Sequence, residues 1–425
     1  PTFGENLKFF FRYQVNFMYW RYFMWNFAGR QNDIQSHGEL TKGNWISGIP
    51  FIDNTMLGDQ SKLPTELREN KGHNVYYFLP LILGLIGLFW QLGKHTNEGK
   101  NKEGYRSFAI VFLLFFLTGL AIVVYLNQTP YQPRERDYAY AGSFYAFCIW
   151  IGLGVMAIID LLNRVVKNDK VRTVAAVVTV LVTLLVPAQM ASQNWDDHDR
   201  SNRYSARDFG ANYLKSCDKE AIIFCNGDND TFPLWYNIEV EEERNDVRAC
   251  NLSYLQTDWY IDQMKRPYYN SPGLPISWEY KDYMPGKNEI AWVENRLHAP
   301  LEVSKAFQFL LSDDPRTKRD GEGYIPSNQL YVLSPDSQKI MFKKARRFTR
   351  SERMVMEMLS TNEWKRPMYF AVTIGSDYHL GLDPYLELTG MAYRITPERS
   401  KDGKPRVNTE IMYDNMLHKF KYGNM

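Results

Sequence analysis

Long runs of apolar side chains in the first half of the sequence constrain this chain most. A helix needs roughly 20 apolar residues to cross the hydrocarbon core of a bilayer. Runs of this kind predict membrane-spanning helices at 76–92, 108–126, 140–162 and 174–191, of which the first contains Pro80. The remainder of the 425 residues is charged and aromatic-rich, and the mean hydropathy is −0.41. We therefore predict an α-helical membrane region with about four spans over 76–192, joined to a soluble part.

The loops between the predicted spans indicate the orientation of the chain. The loops 93–106 and 163–172 each contain four Lys or Arg residues. Short loops rich in Lys and Arg stay in the cytoplasm. Residues 1–75, the loop 127–139 and the chain after about residue 192 are then predicted on the other side. In a bacterium, this pattern predicts a multi-pass inner-membrane protein whose soluble domain lies in the periplasm.

Four consecutive charged residues lie at the outward edge of the third predicted span, and they are Arg134, Glu135, Arg136 and Asp137. A guanidinium group binds phosphate oxygens through two parallel hydrogen bonds, and Pro133 restricts the backbone beside it. The pattern predicts that Arg134 and Arg136 bind a phosphate, with Glu135 and Asp137 in support. The alternative is that the arginines extend to lipid headgroups and the carboxylates neutralise them.

The amino-terminal segment is dense in aromatic residues but too polar to span a membrane. Residues 11–33 predict a helix in the membrane interface that ends near Gly29. A loop punctuated by Gly and Pro follows at 43–54. Residues 1–75 are therefore predicted to form an outward-facing segment that covers a cavity at the membrane surface.

A short acidic segment follows the last predicted span. It contains Asp196, Asp197 and His198. Charged side chains at the end of a span are typical of a solvated junction, and we interpret these three residues in that way.

Strands and helices alternate from residue 193 onward. Residues 219–225 and 247–255 predict strands, and each is followed by a helical pattern, at 231–244 and 257–266. Further strands are predicted at 328–333, 339–344, 366–374 and 387–395. This alternation predicts a soluble α/β domain over 193–425 with a mostly parallel sheet.

Three carboxylates follow the first two predicted strands of this domain. Asp228 and Asp230 come after the first strand, and Asp258 after the second. Ligand crevices in parallel sheets lie beyond the carboxyl ends of the strands. We expect the three side chains to share a crevice for a hydroxyl-rich or cationic ligand, or for a hard metal. Helix capping and turn formation are the alternative.

The composition argues against several other functions. The formal net charge is +2, and no basic stripe predicts nucleic-acid binding. No Cys/His spacing is typical of zinc, so neither a metal nor a cofactor is predicted. Cys217, Cys225 and Cys250 lie in the soluble part, where one disulfide is compatible with an oxidising compartment, but the spacing does not identify the pair.

Several long motifs resemble one family of polytopic bacterial membrane proteins. They are MYWRYFMWNFAGRQND, TPYQPRERDYAYAGSFYAF, NWDDHDRSNRYSARDFGANYLKSC, NGDNDTFPLWY and RNDVRACNLSYLQTDWYI. That family, formerly described only as a domain of unknown function, is related to a vertebrate enzyme that O-mannosylates plexin-type receptor domains. The resemblance extends over essentially the whole chain.

The resemblance implies a glycosyltransferase of the GT-C type. Such an enzyme transfers a sugar, here of the mannose type, from a polyprenyl-phosphate donor to Ser or Thr of exported proteins. Arg134 and Arg136 would then stabilise the leaving phosphate. The acidic catalytic residue of the family belongs to an earlier outer loop, so no catalytic residue is assigned, and we expect this sequence to be a piece of a longer protein. The alternative function is a non-catalytic envelope scaffold that binds a partner and is anchored by its spans.

Overall fold

The computed structural model describes residues 1–97, 102–130, 134–319 and 321–423. The chain forms two compact units, Pro1–Arg200 and Ser201–Met425. The first unit is almost entirely helical, and the second combines strands with helices.

The first unit begins with a continuous helical segment. Helix α1 passes into a π-helix and then into α2, which ends before Gly29. The bounds are α1 Phe3–Phe9, π-helix Phe10–Trp20, α2 Arg21–Phe27, α3 Pro50–Leu57 and α4 Thr65–Arg68. Two short strands, β1 Gly29–Arg30 and β2 Asn74–Val75, pair antiparallel and close this segment. They form a hairpin with a long connection that contains α3 and α4. A Cβ at Gly29 would meet the carbonyl oxygen of Asn74, so the hairpin requires glycine there.

Six further α-helices follow among the described residues. They are α5 Leu79–Asn97, α6 Lys102–Leu117, α7 Leu120–Leu126, α8 Ala141–Val165, α9 Asp169–Thr183 and α10 Leu185–His198. Among the described residues, three helical segments are long and apolar enough to cross a membrane: Tyr105–Leu126, Asp137–Val165 and Asp169–His198. These agree with three of the four predicted spans.

The first predicted span, 76–92, is not confirmed. Its apolar helical part is limited to Leu79–Gly93, which is shorter than a spanning helix. The helix begins late because Tyr77 and Phe78 adopt left-handed backbone conformations, with φ of 52° and 58°. Tyr76 is held instead by the hairpin, since its backbone N–H donates to the carbonyl oxygen of Ala28.

Helices α5 and α8 pack with their backbones in direct contact. A Cβ at Gly87 would clash with the carbonyl oxygen of Trp150, and one at Gly154 would clash with that of Leu83. Glycine at both positions therefore permits this close crossing. Next to it, Phe23 and Phe147 pack at 4.9 Å between ring centroids.

The second unit is built on a six-stranded mixed sheet. Its strand order is β15-β13-β14-β12-β3-β4. The pairs β12–β3, β3–β4 and β13–β15 are parallel, whereas β12–β14 and β13–β14 are antiparallel. The bounds are β3 Ile222–Cys225, β4 Arg248–Asn251, β12 Met368–Ala371, β13 Leu386–Leu388, β14 Ala392–Ile395 and β15 Arg406–Val407. The mostly parallel sheet that the sequence predicts is not confirmed.

Smaller sheets, seven α-helices and several short 3-10 or π-helical turns complete the described part of this unit. Its other strands are β5 Ile290–Trp292, β6 Leu301–Glu302, β7 Lys318–Arg319, β8 Glu322–Gly323, β9 Leu330–Leu333, β10 Lys339–Met341 and β11 Arg347–Thr349. The helices are α11 Ser205–Lys215, α12 Asp228–Glu239, α13 Asp258–Met264, α14 Tyr280–Tyr283, α15 Val303–Leu311, α16 Arg350–Asn362 and α17 Thr409–Asp414.

The predicted strand 387–395 forms two strands of a hairpin. The chain turns at Gly390, where φ is 150°, and β14 returns antiparallel to β13. The residues of β3 and β12 are buried throughout, and Phe224 packs on Phe370 at 5.3 Å between ring centroids. Because both faces of these strands are buried, their sequences are continuous apolar runs rather than alternating patterns.

Candidate functional site

The carboxyl-terminal end of α10 packs on the β1–β2 hairpin of the first unit. The side chain of Gln189 donates to the carbonyl oxygen of Val75 at 3.1 Å, and the amide of Asn194 donates to the hydroxyl of Tyr76 at 2.6 Å. These bonds bring the end of the last span to the segment that precedes the first apolar helix. The hairpin and α10 are two walls of a polar cavity in this unit.

The cavity has a volume of about 480 Å³ and aromatic side walls. The indole rings of Trp25 and Trp195 and the phenol of Tyr76 line it. Trp195 is 77% exposed, which is unusual for so large an apolar side chain in a soluble environment. The Nε1 of Trp25 is buried and has no hydrogen-bond partner among the described residues. The exposed ring of Trp195 is available to a ligand, whereas the indole donor of Trp25 is not accessible.

The polar groups of the cavity come from four separate segments. The amides are those of Asn26, Asn74 and Asn194, and the ionisable groups are those of Arg30, Asp137 and His198. Amides, a carboxylate, an imidazole and a guanidinium provide both hydrogen-bond donors and acceptors. This set suits a neutral, hydroxyl-rich ligand better than a single ion.

Arg30 and Asp197 form an ion pair at the edge of the cavity, and their side chains are 19% and 10% exposed. Arg30 also donates to the carbonyl oxygen of Gly72 at 2.7 Å. The second oxygen of Asp197 lies 2.7 Å from Nδ1 of His198, which also contacts the carbonyl oxygen of Asn194 at 3.0 Å. The interpretation of this segment as a solvated junction is therefore wrong for Asp197, whose carboxylate is largely buried and paired.

Glu135 binds the amino-terminal helical segment. Its carboxylate accepts hydrogen bonds from Arg21 at 3.1 Å, from the hydroxyl of Tyr22 and from the backbone N–H of Ser36 at 3.2 Å. Burial raises the pKa of Tyr22, and the nearby Arg21 opposes that shift. Arg21 in turn donates to the carbonyl oxygen of Gly43 at 2.6 Å. Glu135 thus joins the start of a span to the segment 1–75.

The two arginines of the charged stretch occupy different environments. Arg134 is exposed, with its guanidinium carbon 5.9 Å from the ring centroid of Tyr138. Arg136 is half-buried, and its Nε has no hydrogen-bond partner among the described residues. Asp137 begins the next helical turn and lines the cavity. Pro133, which the sequence assigns a stiffening role, lies outside the described residues.

The three aspartates of the second unit make separate contacts. Asp230 is buried and accepts a hydrogen bond from the hydroxyl of Thr373, whereas Asp258 accepts one from Tyr280 at 3.0 Å. Asp228 is exposed at the first residue of α12. In the described parts of the chain, no hydrogen bond joins any two of them, and no group of three or more His, Cys, Asp or Glu side chains is arranged to hold a metal.

Polar residues that the sequence reasoning did not assign lie at the carboxyl ends of β3 and β4. Ser253 donates to the side chain of Asn226 at 2.6 Å, and Asn251 donates to the hydroxyl of Thr231 at 2.8 Å. The Asn-containing turns that follow the two predicted strands were the sequence signal from which these polar residues could have been found. The loops after the two strands are thus in contact, as the parallel pairing requires.

The cysteines of the second unit are buried free thiols. Burial raises the pKa of Cys217, Cys225 and Cys250, to about 12 for Cys225. A thiol that stays protonated at neutral pH is a weak nucleophile. These side chains therefore behave as core residues.

Comparison with known proteins finds similarity over the second unit. Residues 206–343 and 335–411 match the TMEM260-associated domain 2. A stretch of 233 residues is 23% identical to the protein O-mannosyl-transferase tmem260 of Dictyostelium discoideum, and it covers 49% of this chain and 27% of that protein. Over these residues the chain is similar to TMEM260 proteins.

The predicted relation to the protein O-mannosyltransferase TMEM260 is thereby confirmed for the matched residues, whereas the bacterial origin stays a prediction. The matched region spans about a quarter of the length of the TMEM260 protein from Dictyostelium. The TMEM260-associated domain lies in the second unit and includes Asp228, Asp230 and Asp258. The cavity beside Arg30 and Asp197 lies outside that domain. No solved structure matches the chain.

Proposed function

We propose that this chain is part of a membrane glycosyltransferase of the GT-C type. The enzyme transfers a mannose-type sugar from a polyprenyl-phosphate donor to Ser or Thr of exported proteins. The observation that carries the proposal is the aromatic and polar cavity at the outward end of α10, in a chain related to TMEM260. The name of the Dictyostelium relative supports the reaction type.

The cavity suits the sugar head group of the donor. Its volume of about 480 Å³ lies within the roughly 300–1,000 Å³ that is usual for small-molecule sites. A sugar presents apolar C–H faces that pack on indole rings and hydroxyls that need both donors and acceptors. Trp195 and Trp25 provide the rings, while Asn194 and Asp137 provide the polar contacts.

The donor phosphate is assigned to Arg134 and Arg136. Their charges are not neutralised by Glu135, which binds Arg21. Arg136 is half-buried beside Asp137, so its guanidinium is restricted before a ligand binds. Preorganised charge of this kind stabilises a leaving phosphate as its negative charge develops.

The membrane arrangement completes the proposal. Helix α5 packs on α8 and forms a fourth membrane-embedded helix, while 1–75 and 193–425 lie on the outer side. In a bacterium that side is the periplasm, and the membrane is the inner one. Labelling of single cysteines at Lys167 and Asp228 in intact cells tests this orientation. Labelling at position 167 together with protection at position 228 would show the opposite orientation in the membrane.

The acceptor is assigned to the second unit. Asp228, Asp230 and Asp258 remain the proposed ligand crevice there, since all three lie at the carboxyl ends of parallel strands. A ligand that bridges them would contact the first turns of α12 and α13 rather than a preformed cluster. The catalytic residue stays unassigned within this sequence.

Sugar transfer by the full-length protein tests the proposed function. Membranes with and without the protein are supplied with a polyprenyl-phosphate mannose donor and a Ser/Thr peptide. We expect Asp137→Asn and Trp195→Ala to reduce transfer at equal protein level. Asp169→Asn and Phe51→Ala are the matched controls, since both side chains are highly exposed elsewhere in the first unit. Equal transfer by all four variants would contradict a sugar site in this cavity.

A further inference from the structure

Strand β5 of the second unit is paired along one of its two edges by β11, which runs antiparallel to it. The backbone N–H of Val293 donates to the carbonyl oxygen of Arg346 at 2.9 Å, and that of Arg350 donates to the carbonyl oxygen of Glu289 at 3.0 Å. Hydrogen-bonded positions alternate along an antiparallel ladder, so positions 289, 291 and 293 face β11. Positions 290 and 292 therefore direct their backbone groups to the opposite edge.

This opposite edge of β5 is only partly paired. The carbonyl oxygen of Trp292 accepts a hydrogen bond from the backbone N–H of Ile325 at 2.8 Å. The N–H and carbonyl groups of Ile290 and the N–H of Trp292 have no hydrogen-bond partner within the described residues. Unpaired N–H and C=O groups on a strand edge are a template for pairing with another strand. Backbone groups of this kind are best matched by another polypeptide backbone.

A cleft of about 510 Å³ lies beside this edge. Ile290 and Trp292 line one side of it, and Lys318 and Gly323 of the β7–β8 hairpin line another. Gly323 pairs with Lys318 rather than with β5, and the chain reaches β5 only at Ile325. The hairpin thus leaves a gap along the stretch of β5 whose backbone groups are unpaired.

The side chains beside the cleft suit an added strand. Ile290 is 42% exposed and Trp292 is 53% exposed, whereas Ala291, on the other face of β5, is 1% exposed. Alternate side chains of a strand lie on the same face, so an added strand can pack its own alternate side chains on Ile290 and Trp292. Three lysines and four acidic residues are among the cleft lining. This mixture of charges favours an uncharged main chain over an acid, a base or a phosphate.

Arg350 connects the cleft to the segment before α13. Its side chain donates to the carbonyl oxygen of Lys287, which lines the cleft, at 2.7 Å, and to that of Gln256 at 2.5 Å. Gln256 lies two residues before Asp258, which belongs to the proposed ligand crevice. The edge of β5 and that crevice are therefore joined through one buried side chain.

We propose that the edge of β5 binds an extended segment of the acceptor polypeptide by strand addition. Main-chain groups of the segment pair with the N–H and carbonyl of Ile290 and with the N–H of Trp292, while its alternate side chains pack on the indole ring. Main-chain bonds supply affinity in this mode of recognition. The role of the bound segment as the sugar acceptor rests on the proposed function, whereas the binding of an extended polypeptide does not.

The experiment measures binding of a labelled peptide, acetyl-Thr-Val-Thr-Val-Thr-amide, to the full chain in nanodiscs by fluorescence anisotropy. This peptide is uncharged, and its β-branched residues favour an extended backbone. Methylation of every amide nitrogen removes all backbone donors and should lower affinity at least about tenfold. Methylation of alternate nitrogens leaves one edge of the peptide intact and should preserve binding. Residue-resolved hydrogen exchange should slow at Ile290 and Trp292 on binding, but not at Ala291, whose N–H already faces β11.

A matched pair of variants tests the side-chain contact. Trp292→Ala should lower affinity for the peptide about tenfold, as expected for truncation of an aromatic anchor. Trp259→Ala should not, because that indole is equally exposed, at 53%, but does not line the cleft. No binding of the unmethylated peptide, equal binding of the fully methylated one, or unchanged exchange at Ile290 and Trp292 would overturn the proposal. Binding without sugar transfer to this peptide by the full-length protein would contradict the proposed function and leave strand addition intact.

Discussion

The two units bury their arginines in different ways. In the first unit, Arg21 is paired with Glu135 and Arg30 with Asp197. In the second unit, Arg350 donates to the carbonyl oxygens of Gln256 at 2.5 Å and Lys287 at 2.7 Å. Buried arginines of this second kind bind main-chain oxygens and have no carboxylate partner among the described residues. Burial accordingly lowers the pKa of Arg350.

The difference separates two structural roles. Each paired arginine of the first unit joins segments far apart in the chain, and removal of one partner leaves a charge behind. An arginine that binds carbonyls satisfies the acceptors at helix and loop ends. Replacement of the first kind should therefore be more damaging than replacement of the second. The following predictions test this comparison, from the largest effect to the smallest.

Glu135→Gln should cause the largest loss of stability. The change leaves Arg21, which is 5% exposed, without a counter-charge. Breaking a buried ion pair costs about 3–5 kcal/mol in free energy of unfolding. Thermal unfolding of the purified full chain measures this, with Glu66→Gln as the exposed control. A melting temperature equal to that of the control would mean that the pair does not anchor the amino-terminal segment.

Asp246→Asn tests a paired arginine inside the second unit. Arg244 binds both oxygens of Asp246, at 2.9 and 3.0 Å. Burial opposes ionisation of Asp246, but the bonds from Arg244 prevail and lower its pKa below 3.8. The pair therefore adds stability above pH 3.8, which is lost as the pH falls through the lowered value.

The expected loss for Asp246→Asn is about 1.5–3 kcal/mol at neutral pH, typical of hydrogen bonds to a charged group. Denaturant unfolding at pH 7 and pH 3 measures it. The difference between the variant and the unchanged chain should shrink at the lower pH. A difference that stays constant across this range would exclude the ionised pair as its cause.

Arg350→Met should cost less than loss of the Glu135 carboxylate. Methionine fills similar volume and removes the buried charge, but the carbonyls of Gln256 and Lys287 lose their donor. Unsatisfied buried acceptors cost about 1–3 kcal/mol. Unfolding of the full chain is again the measurement, with Arg266→Met as the exposed control. A loss equal to that of Glu135→Gln would remove the distinction between the two kinds of arginine.

Arg134→Gln should leave stability unchanged, because the side chain is exposed. Sugar transfer by the full-length protein should nevertheless fall about ten- to a hundredfold, as expected for a lost charge-assisted bond. Arg134→Lys should restore only part of the transfer, since lysine lacks the planar fork. Unchanged transfer by Arg134→Gln would mean that this arginine contacts headgroups alone.

Sequence reasoning predicted what depends on local patterns. The apolar runs gave three of the membrane-capable helices, and the stop near Gly29 agrees with the end of α2. The predicted start at residue 76 was wrong because Tyr77 and Phe78 adopt left-handed conformations that composition does not reveal. The turn at Gly390 was missed because one glycine in a strand pattern also marks a bulge.

Long-range pairing was beyond sequence reasoning. Arg30 and Asp197 are far apart in the chain, and neither lies in a pattern that specifies the other. Strand direction is similarly non-local, since the antiparallel β14 enters the sheet through a hairpin with β13. The charged stretch 134–137 was recognised because its residues are adjacent in the sequence. The ion pair between Glu135 and Arg21 was not predicted, because the two residues are far apart in the chain.

The close crossing of α5 and α8 bears on how the protein is made. The apolar part of α5, Leu79–Gly93, is too short to favour insertion by itself, and it is synthesised well before α8. It acquires its glycine-lined partner surface only when Gly154 has left the ribosome. We therefore expect this helix to wait at the translocon or the membrane surface for a later segment during biogenesis. A larger residue at Gly87 or Gly154 would then appear as misinserted, degraded protein rather than as a folded protein with a lower melting temperature.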